Sequence, residues 1–157
     1  MSQQSSGDWL LMVDGAARGN PGPAGCGAFI RDPEGVARKK LCRYLGTTTN
    51  NVSEYEGLLM GLQSALAMGA KRIHIESDSE LMVKQLNGLY RVCDEKLKRL
   101  YRRALALLQQ FDSYRLTHVR RERNRIADKL ANQGVERGFE QEHHASEAKG
   151  SKLDALS

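Results

Sequence analysis

Apolar residues change their period several times along the chain, and each change marks an element. Trp9-Leu10-Leu11-Met12-Val13 is a short unbroken apolar run, the pattern of a strand covered on both faces. The segment from Gly15 to Gly25 is rich in Gly and Pro and reads as a loop. Cys26 to Arg31 and Val36 to Leu45 flank Asp32-Pro33-Glu34-Gly35, where Pro in the second position and Gly in the fourth suit a tight turn. The first three strands are therefore expected to be antiparallel neighbours. From Asn51 the period becomes helical: Val52, Tyr55, Leu58, Leu59, Leu62 and Leu66 recur up to Gly69, which suits the position just past a helix end.

Arg72 to Glu76 alternates as a strand, and Ser79 to Leu86 reads as a short helix. Lys96 to Phe111 predicts a longer helix with Leu97, Leu100, Ala104, Leu107, Leu108 and Phe111 inward. Tyr114 to Val119 alternates again. Arg125 to Arg137 closes the pattern as a helix turning Ile126, Leu130 and Val135 inward. The order β-β-β-α-β-α-α-β-α predicts an α/β domain, a five-stranded mixed sheet with helices on both faces.

The ends lack such a pattern. Residues 1–7 are small and polar, and from Gly138 the chain is Gln, Glu, His, Ser, Lys and Gly with little apolar content. Disordered tails are expected at 1–7 and 138–157, around one folded domain at 8–137. A chain of 157 residues suits one domain, given roughly 100–200 residues per domain. Three cysteines, Cys26, Cys42 and Cys93, are an odd count without C-x-x-C spacing, which argues against a disulfide framework or a thiolate zinc site and for a reducing, cytoplasmic setting. No apolar run approaches the ~20 residues of a membrane span, so no membrane association is expected. The net charge of +5 permits a polyanionic partner without demanding one.

Four acids stand out against this pattern. Asp14 ends an apolar strand and Asp78 follows another. A carboxylate at the edge of a buried strand is costly unless it is paired or binds a cation, and that edge is where open α/β sheets bind ligands. Each Asp also suits a cap or turn. Glu54 lies in the first turn of its helix, as a dipole partner or half of a capping box with Asn51. Asp128 lies among Arg120, Arg121, Arg123, Arg125 and Lys129, where a surface salt bridge is the alternative.

The surrounding residues form a set. Val-Asp-Gly-Ala-Ala-Arg-Gly-Asn-Pro-Gly-Pro-Ala-Gly from Val13 to Gly25, Thr49-Asn50-Asn51-Val52-Ser53-Glu54, Ser77-Asp78-Ser79, and Asn124-Arg125-Ile126-Ala127-Asp128-Lys129-Leu130-Ala131 follow one another in order. In this the chain resembles the type 1 ribonuclease H family, short form. The resemblance implies a ribonuclease H-like fold and an endonuclease that hydrolyses the RNA strand of an RNA-DNA hybrid duplex. It implies Asp14, Glu54, Asp78 and Asp128 as catalytic residues and as ligands of two Mg²⁺ ions, with Mn²⁺ as substitute, and 5′-phosphate and 3′-hydroxyl products. Oxygen ligands suit such hard cations, which activate water and neutralise a leaving oxygen. It also implies that Gly15, Asn20 and Asn50 contact the RNA strand and that Thr49 and Asn51 contact a DNA phosphate. A monomer without an obligate protein partner is expected. Gly15 and Gly22 also fit a need for positive φ or close backbone approach.

The pattern departs from the family in two places. Glu80 replaces a common Gln, adding negative charge near the expected path of the backbone. Val119-Arg120-Arg121-Glu122-Arg123 replaces a longer loop that bears a His in other members. His118 falls on a strand and is read as structural, leaving Arg120, Arg121 or Arg123 to substitute electrostatically. Lys96, Arg99 and Arg103 form a basic stripe that suits phosphate or plain solvent. His143 and His144 suit adventitious metal binding, and the cysteines suit core or inert thiols.

Two further readings compete. A non-catalytic hybrid- or nucleic-acid-binding domain on the same fold would more often drop an acid, and 6% aromatic content gives little for base stacking. A nucleotide-phosphate enzyme using the Gly15 to Gly25 loop would need the Gly-Lys-Ser/Thr that is missing.

Overall fold

The computed structural model describes the backbone of residues 7–156 and the side chains of residues 7–141. Five strands, β1 (Asp8–Ala17), β2 (Gly22–Arg31), β3 (Ala37–Thr48), β4 (Arg72–Ser77) and β5 (Ser113–His118), form one sheet in the order β3-β2-β1-β4-β5. The helices are α1 (Asn50–Ala67), α2 (Glu80–Leu86), α3 (Glu95–Leu108) and α4 (Arg125–Leu156), with a 3₁₀ turn at Arg121–Asn124 before α4. β1, β2 and β3 pair antiparallel, and β1, β4 and β5 parallel. The expected element order and mixed sheet are observed.

The Gly/Pro segment is not a loop for most of its length. β1 continues to Ala17 against β2, with Asp14 opposite Gly27 and Ala17 opposite Ala24, so only residues 18–21 connect the strands. β1 and β4, however, pair only as far as Val13 and Ser77. The sheet thus forks beyond Val13, and Asp14 stands in the fork rather than at a strand end. The Asp32-Pro33-Glu34-Gly35 turn is as expected: the Gly35 N–H donates to the Asp32 carbonyl at 2.9 Å, and Gly35 has φ +84°.

Glycines decide how closely the helices approach. Gly57 and Gly61 of α1 face the sheet, where an added methyl would lie 2.7 Å from the Asp14 carbonyl oxygen or 2.6 Å from Leu11. α1 is therefore sandwiched between the sheet and α3, and much of its surface is buried; its amphipathic pattern is weaker than a surface helix would show. Leu58 lies at the centre of that sandwich with no exposure. Leu58→Ala is expected to lower stability by about 2–5 kcal/mol, read as a shift in denaturation midpoint at constant slope.

On the opposite face α4 packs Ala127 and Leu130 on Met12 and Phe29. Gly25 and Gly27 of β2 admit it, since a methyl on either would lie 2.6 Å from backbone atoms of α4. The seam is built from small residues, which leaves Ile126, expected inward, 36% exposed. α4 also continues past Arg137 to Leu156, so the segment from Gly138, expected to be a disordered tail, is helical. Glu, Gln, Ala and Lys favour helix there without an apolar pattern. Gly138 packs against the Tyr44 ring, and the Arg18 guanidinium lies 5.5 Å from the Phe139 ring centroid. The expected N-terminal tail lies outside the described residues except for Gly7, as do the side chains of His143 and His144. Among the described residues no helix is long and apolar enough to cross a membrane.

Candidate active site

The fork in the sheet is where the acids meet. Asp14 shares the alternation of Leu10 and Met12, which lie toward α4, while Gly15 shares that of Leu11 and Val13, which lie toward α1. Without a side chain at Gly15, α1 approaches β1 so closely that any methyl there would strike the backbone of Ser53 and Glu54. Glu54 therefore reaches over Gly15. The Gly15 N–H donates to Asp14 Oδ1 at 2.9 Å and to Glu54 Oε2 at 3.1 Å, linking the two carboxylates through one backbone group.

Asp78 completes the group just beyond the end of β4. One carboxylate oxygen from each of Asp14, Glu54 and Asp78 lies within 4.8 Å of the others. Asp128, in the first turn of α4, lines the same cleft and is among the neighbours that raise the Asp14 carboxyl. That cleft, about 560 Å³, is also lined by Gly15, Asn50, His118, Arg120, Arg121 and Asn132.

Asp14 is 3% and Glu54 5% exposed. Burial, then the neighbouring Asp78 charge, pushes the Asp14 carboxyl up to about 8. Burial, followed by the charges of Asp14 and Asp78, also raises Glu54 well above the usual carboxylate range. Like charges held together out of water call for a counter-charge. Each offers only oxygen donors, so the cluster fits a hard divalent cation.

The alternatives open at the sequence level resolve structurally. α1 is capped by Thr49, whose side chain accepts from the Val52 N–H at 3.3 Å, so Glu54 is not half of a capping box with Asn51. Asp78 does not cap α2; the neighbouring Ser79 does. Among the described residues Asp128 forms no salt bridge; it accepts at 3.5 Å from Asn132, whose amide also donates to the Asp128 carbonyl at 3.0 Å.

A family model described as reverse transcriptase-like matches residues 12–134. Ribonuclease HI of Halobacterium salinarum is 40% identical over 123 residues, covering 78% of this chain and 62% of that protein. The chain belongs to the type 1 ribonuclease H family. The bifunctional protein Rv2228c of Mycobacterium tuberculosis is 39% identical over 128 residues, which are 81% of this chain but 35% of that protein. The chain thus spans about a third of the length of this mycobacterial relative. The solved N-terminal ribonuclease H domain of Rv2228c superposes with a TM-score of 0.82 at 37% identity, covering 86% of this chain and 98% of that one. LC11-RNase H1, solved in complex with an RNA/DNA hybrid, superposes with a TM-score of 0.78 at 34% identity, covering 84% and 99%.

In this ribonuclease H domain, Gly15 and Asn50 line the acid cleft, whereas Asn20, Thr49 and Asn51 line a second depression with Lys96. Asn20 Oδ1 accepts from the Asn50 N–H at 3.0 Å, joining the two depressions. Neither Gly15 nor Gly22 has positive φ; both are glycines because backbone passes too close for a side chain. Glu80 does not line the cleft and pairs with Lys84 at 3.4 Å. His118, read as structural from its strand, is exposed and lines the cleft, because it sits at the last position of β5 beside Ser77. Asn132 was missed in the sequence; its signal is spacing, since a residue four after Asp128 shares its helix face.

Proposed function

We propose that this domain hydrolyses the RNA strand of RNA-DNA hybrids as an endonuclease, using two Mg²⁺ ions with Mn²⁺ as substitute, and leaves 5′-phosphate and 3′-hydroxyl ends. The observation that carries this reading is the gathering of one carboxylate oxygen from each of Asp14, Glu54 and Asp78 within 4.8 Å in a surface cleft. Asp14, Glu54, Asp78 and Asp128 would hold the cations. Bound there, divalent cations lower the proton affinity of water and neutralise charge on the phosphate. Gly15, through its N–H, holds Asp14 and Glu54 in one orientation. Asn50 faces the RNA strand, where a side-chain amide can read a 2′-hydroxyl. Asn20 orients Asn50 and completes the RNA contact, while Thr49 and Asn51, with Lys96, receive a phosphate of the DNA strand in the second depression.

Arg121 stands opposite the acids, 4.0 Å from Asp78 and 83% exposed, free to turn to a phosphate. It would substitute electrostatically for the loop His that longer members bear, since a guanidinium binds phosphate oxygens in pairs. Arg121→Gln is expected to lower kcat about tenfold and to weaken the salt dependence of hybrid binding, measured by cleavage kinetics across KCl concentrations. The three cysteines are free thiols, which suits a reducing cytoplasm, and burial pushes Cys26 up to about 12, which keeps that thiol inert. The domain is read as acting as a monomer.

The test is cleavage of an end-labelled RNA·DNA duplex with and without Mg²⁺, against single-stranded RNA and double-stranded DNA. Metal-dependent cutting of only the hybrid's RNA strand is expected. Tight hybrid binding without cutting in Mg²⁺ or Mn²⁺ would replace the enzyme by a binding module.

A further inference from the structure

The Asp128-bearing helix is entered through the 3₁₀ turn Arg121–Asn124, whose N-cap, Arg120, makes no side-chain cap hydrogen bond. Its position is therefore set from outside. Arg123 Nε and a terminal guanidinium nitrogen donate to the two carboxylate oxygens of Glu76 at 3.3 and 2.9 Å. The Glu76 side chain is 3% exposed, on the sheet face next to Asp78's strand end. The adjacent Asn124 is fully buried and donates from Nδ2 to the Val13 carbonyl at 2.9 Å. Two consecutive residues thus grip β4 two positions before Asp78 and β1 one position before Asp14.

We propose that Arg123, through its two-point contact with buried Glu76, is a positioning residue that sets where Asp128 and Arg121 stand relative to Asp14 and Asp78. The contact spans the gap the fork leaves open: β4 and β1 stop pairing at Ser77 and Val13, and the 3₁₀ turn bridges them at that point. The Val119 N–H, donating to the Ser77 carbonyl at 2.9 Å, holds the near end of the loop, so the Arg123 and Asn124 contacts fix its far end. A planar guanidinium on both oxygens of one carboxylate fixes direction as well as distance, which a single-point contact does not. Asn124 acts with it as the second anchor.

The test compares the parent with Arg123→Gln, Arg123→Lys and the double variant Glu76→Gln/Arg123→Gln. Three readings are taken: thermal unfolding, kcat and KM on the hybrid, and Mn²⁺ binding to the free protein by calorimetry. Arg123→Gln is expected to lower kcat about tenfold, with KM unchanged, and to weaken Mn²⁺ binding by a similar factor, as loss of a partner supporting metal ligands does. Arg123→Lys restores part of both. The double variant removes the unpaired buried charge and so regains thermal stability, yet keeps the low kcat and weak Mn²⁺ binding. Parental kcat and Mn²⁺ affinity in the double variant would reduce the pair to a fold stabiliser and overturn the proposal. The kinetic arm rests on the hydrolytic reading above; if the parent itself cuts no hybrid, that reading fails, and the Mn²⁺ isotherms still decide this one.

Discussion

Asp14→Asn yields a protein that folds, is more stable than its parent in metal-free buffer at neutral pH, and no longer cuts. The two effects share one cause. Asp14 is 3% exposed with Asp78, Glu54 and Asp128 around it, and its carboxyl is pushed from 3.8 up to about 8. Between those values the folded chain holds a proton that the unfolded chain has released. Stability from this group is therefore fully present below the unfolded pKa and is lost as pH rises through about 8. At about 1.4 kcal/mol per pH unit for one proton, neutralising the Asp14 charge on folding at pH 7 costs on the order of 4 kcal/mol without a cation. Asn removes that charge and also a cation ligand. Urea denaturation in chelator from pH 5 to pH 8 is expected to show a falling midpoint for the parent and a flatter one for Asp14→Asn. Added Mg²⁺ should raise the midpoint of the parent alone. Identical pH slopes for both proteins, or retained turnover in the variant, would count against this account.

Gly15→Ala carries the second large effect. A methyl at this position meets the backbone of Ser53 and Glu54 as well as Ser53 Oγ, and the backbone cannot rotate away. The first turn of α1 must move, and Glu54 with it. Overpacking of this kind costs about 1–3 kcal/mol, and a displacement near 1 Å at a reacting centre costs about a hundredfold in rate. Unfolding midpoint and kcat are thus expected to fall together. A fall in hybrid affinity with stability and kcat intact would instead make Gly15 a contact to RNA and nothing more.

Apolar runs, alternation and helical spacing located each of the five strands and four α-helices, and the turn at Asp32 declared itself by Pro and Gly. The errors have common physical sources. The Gly15 to Gly25 segment was read as a loop because glycine signals turns, whereas here Gly25 and Gly27 are strand residues that make room for α4. Ile126 was placed inward by its apolar character, yet the α4 seam selects for small size. The helix beyond Arg137 had no apolar stripe to betray it. At the site, residue types and order singled out Asp14, Glu54, Asp78 and Asp128. Their convergence followed from the family resemblance alone, because its physical cause, the sheet forking at Val13 and the absence of a side chain at Gly15, is not written in any local pattern. The Glu76–Arg123 contact was hidden for the same reason: nothing local relates a strand residue to a turn so far along the chain.

The acids come from β1, α1, the end of β4 and α4, each delivered by a different stretch of chain. No fragment of the protein holds more than a part of the cluster, so a cation that needs the cluster recognises the finished fold alone. Ligands of this kind draw the whole population toward the native form by mass action. Magnesium should accordingly protect the polypeptide from a protease at cut sites far from the cleft, β3 included, and cleavage activity should vanish in step with the last cooperative unfolding event rather than fade with local fraying.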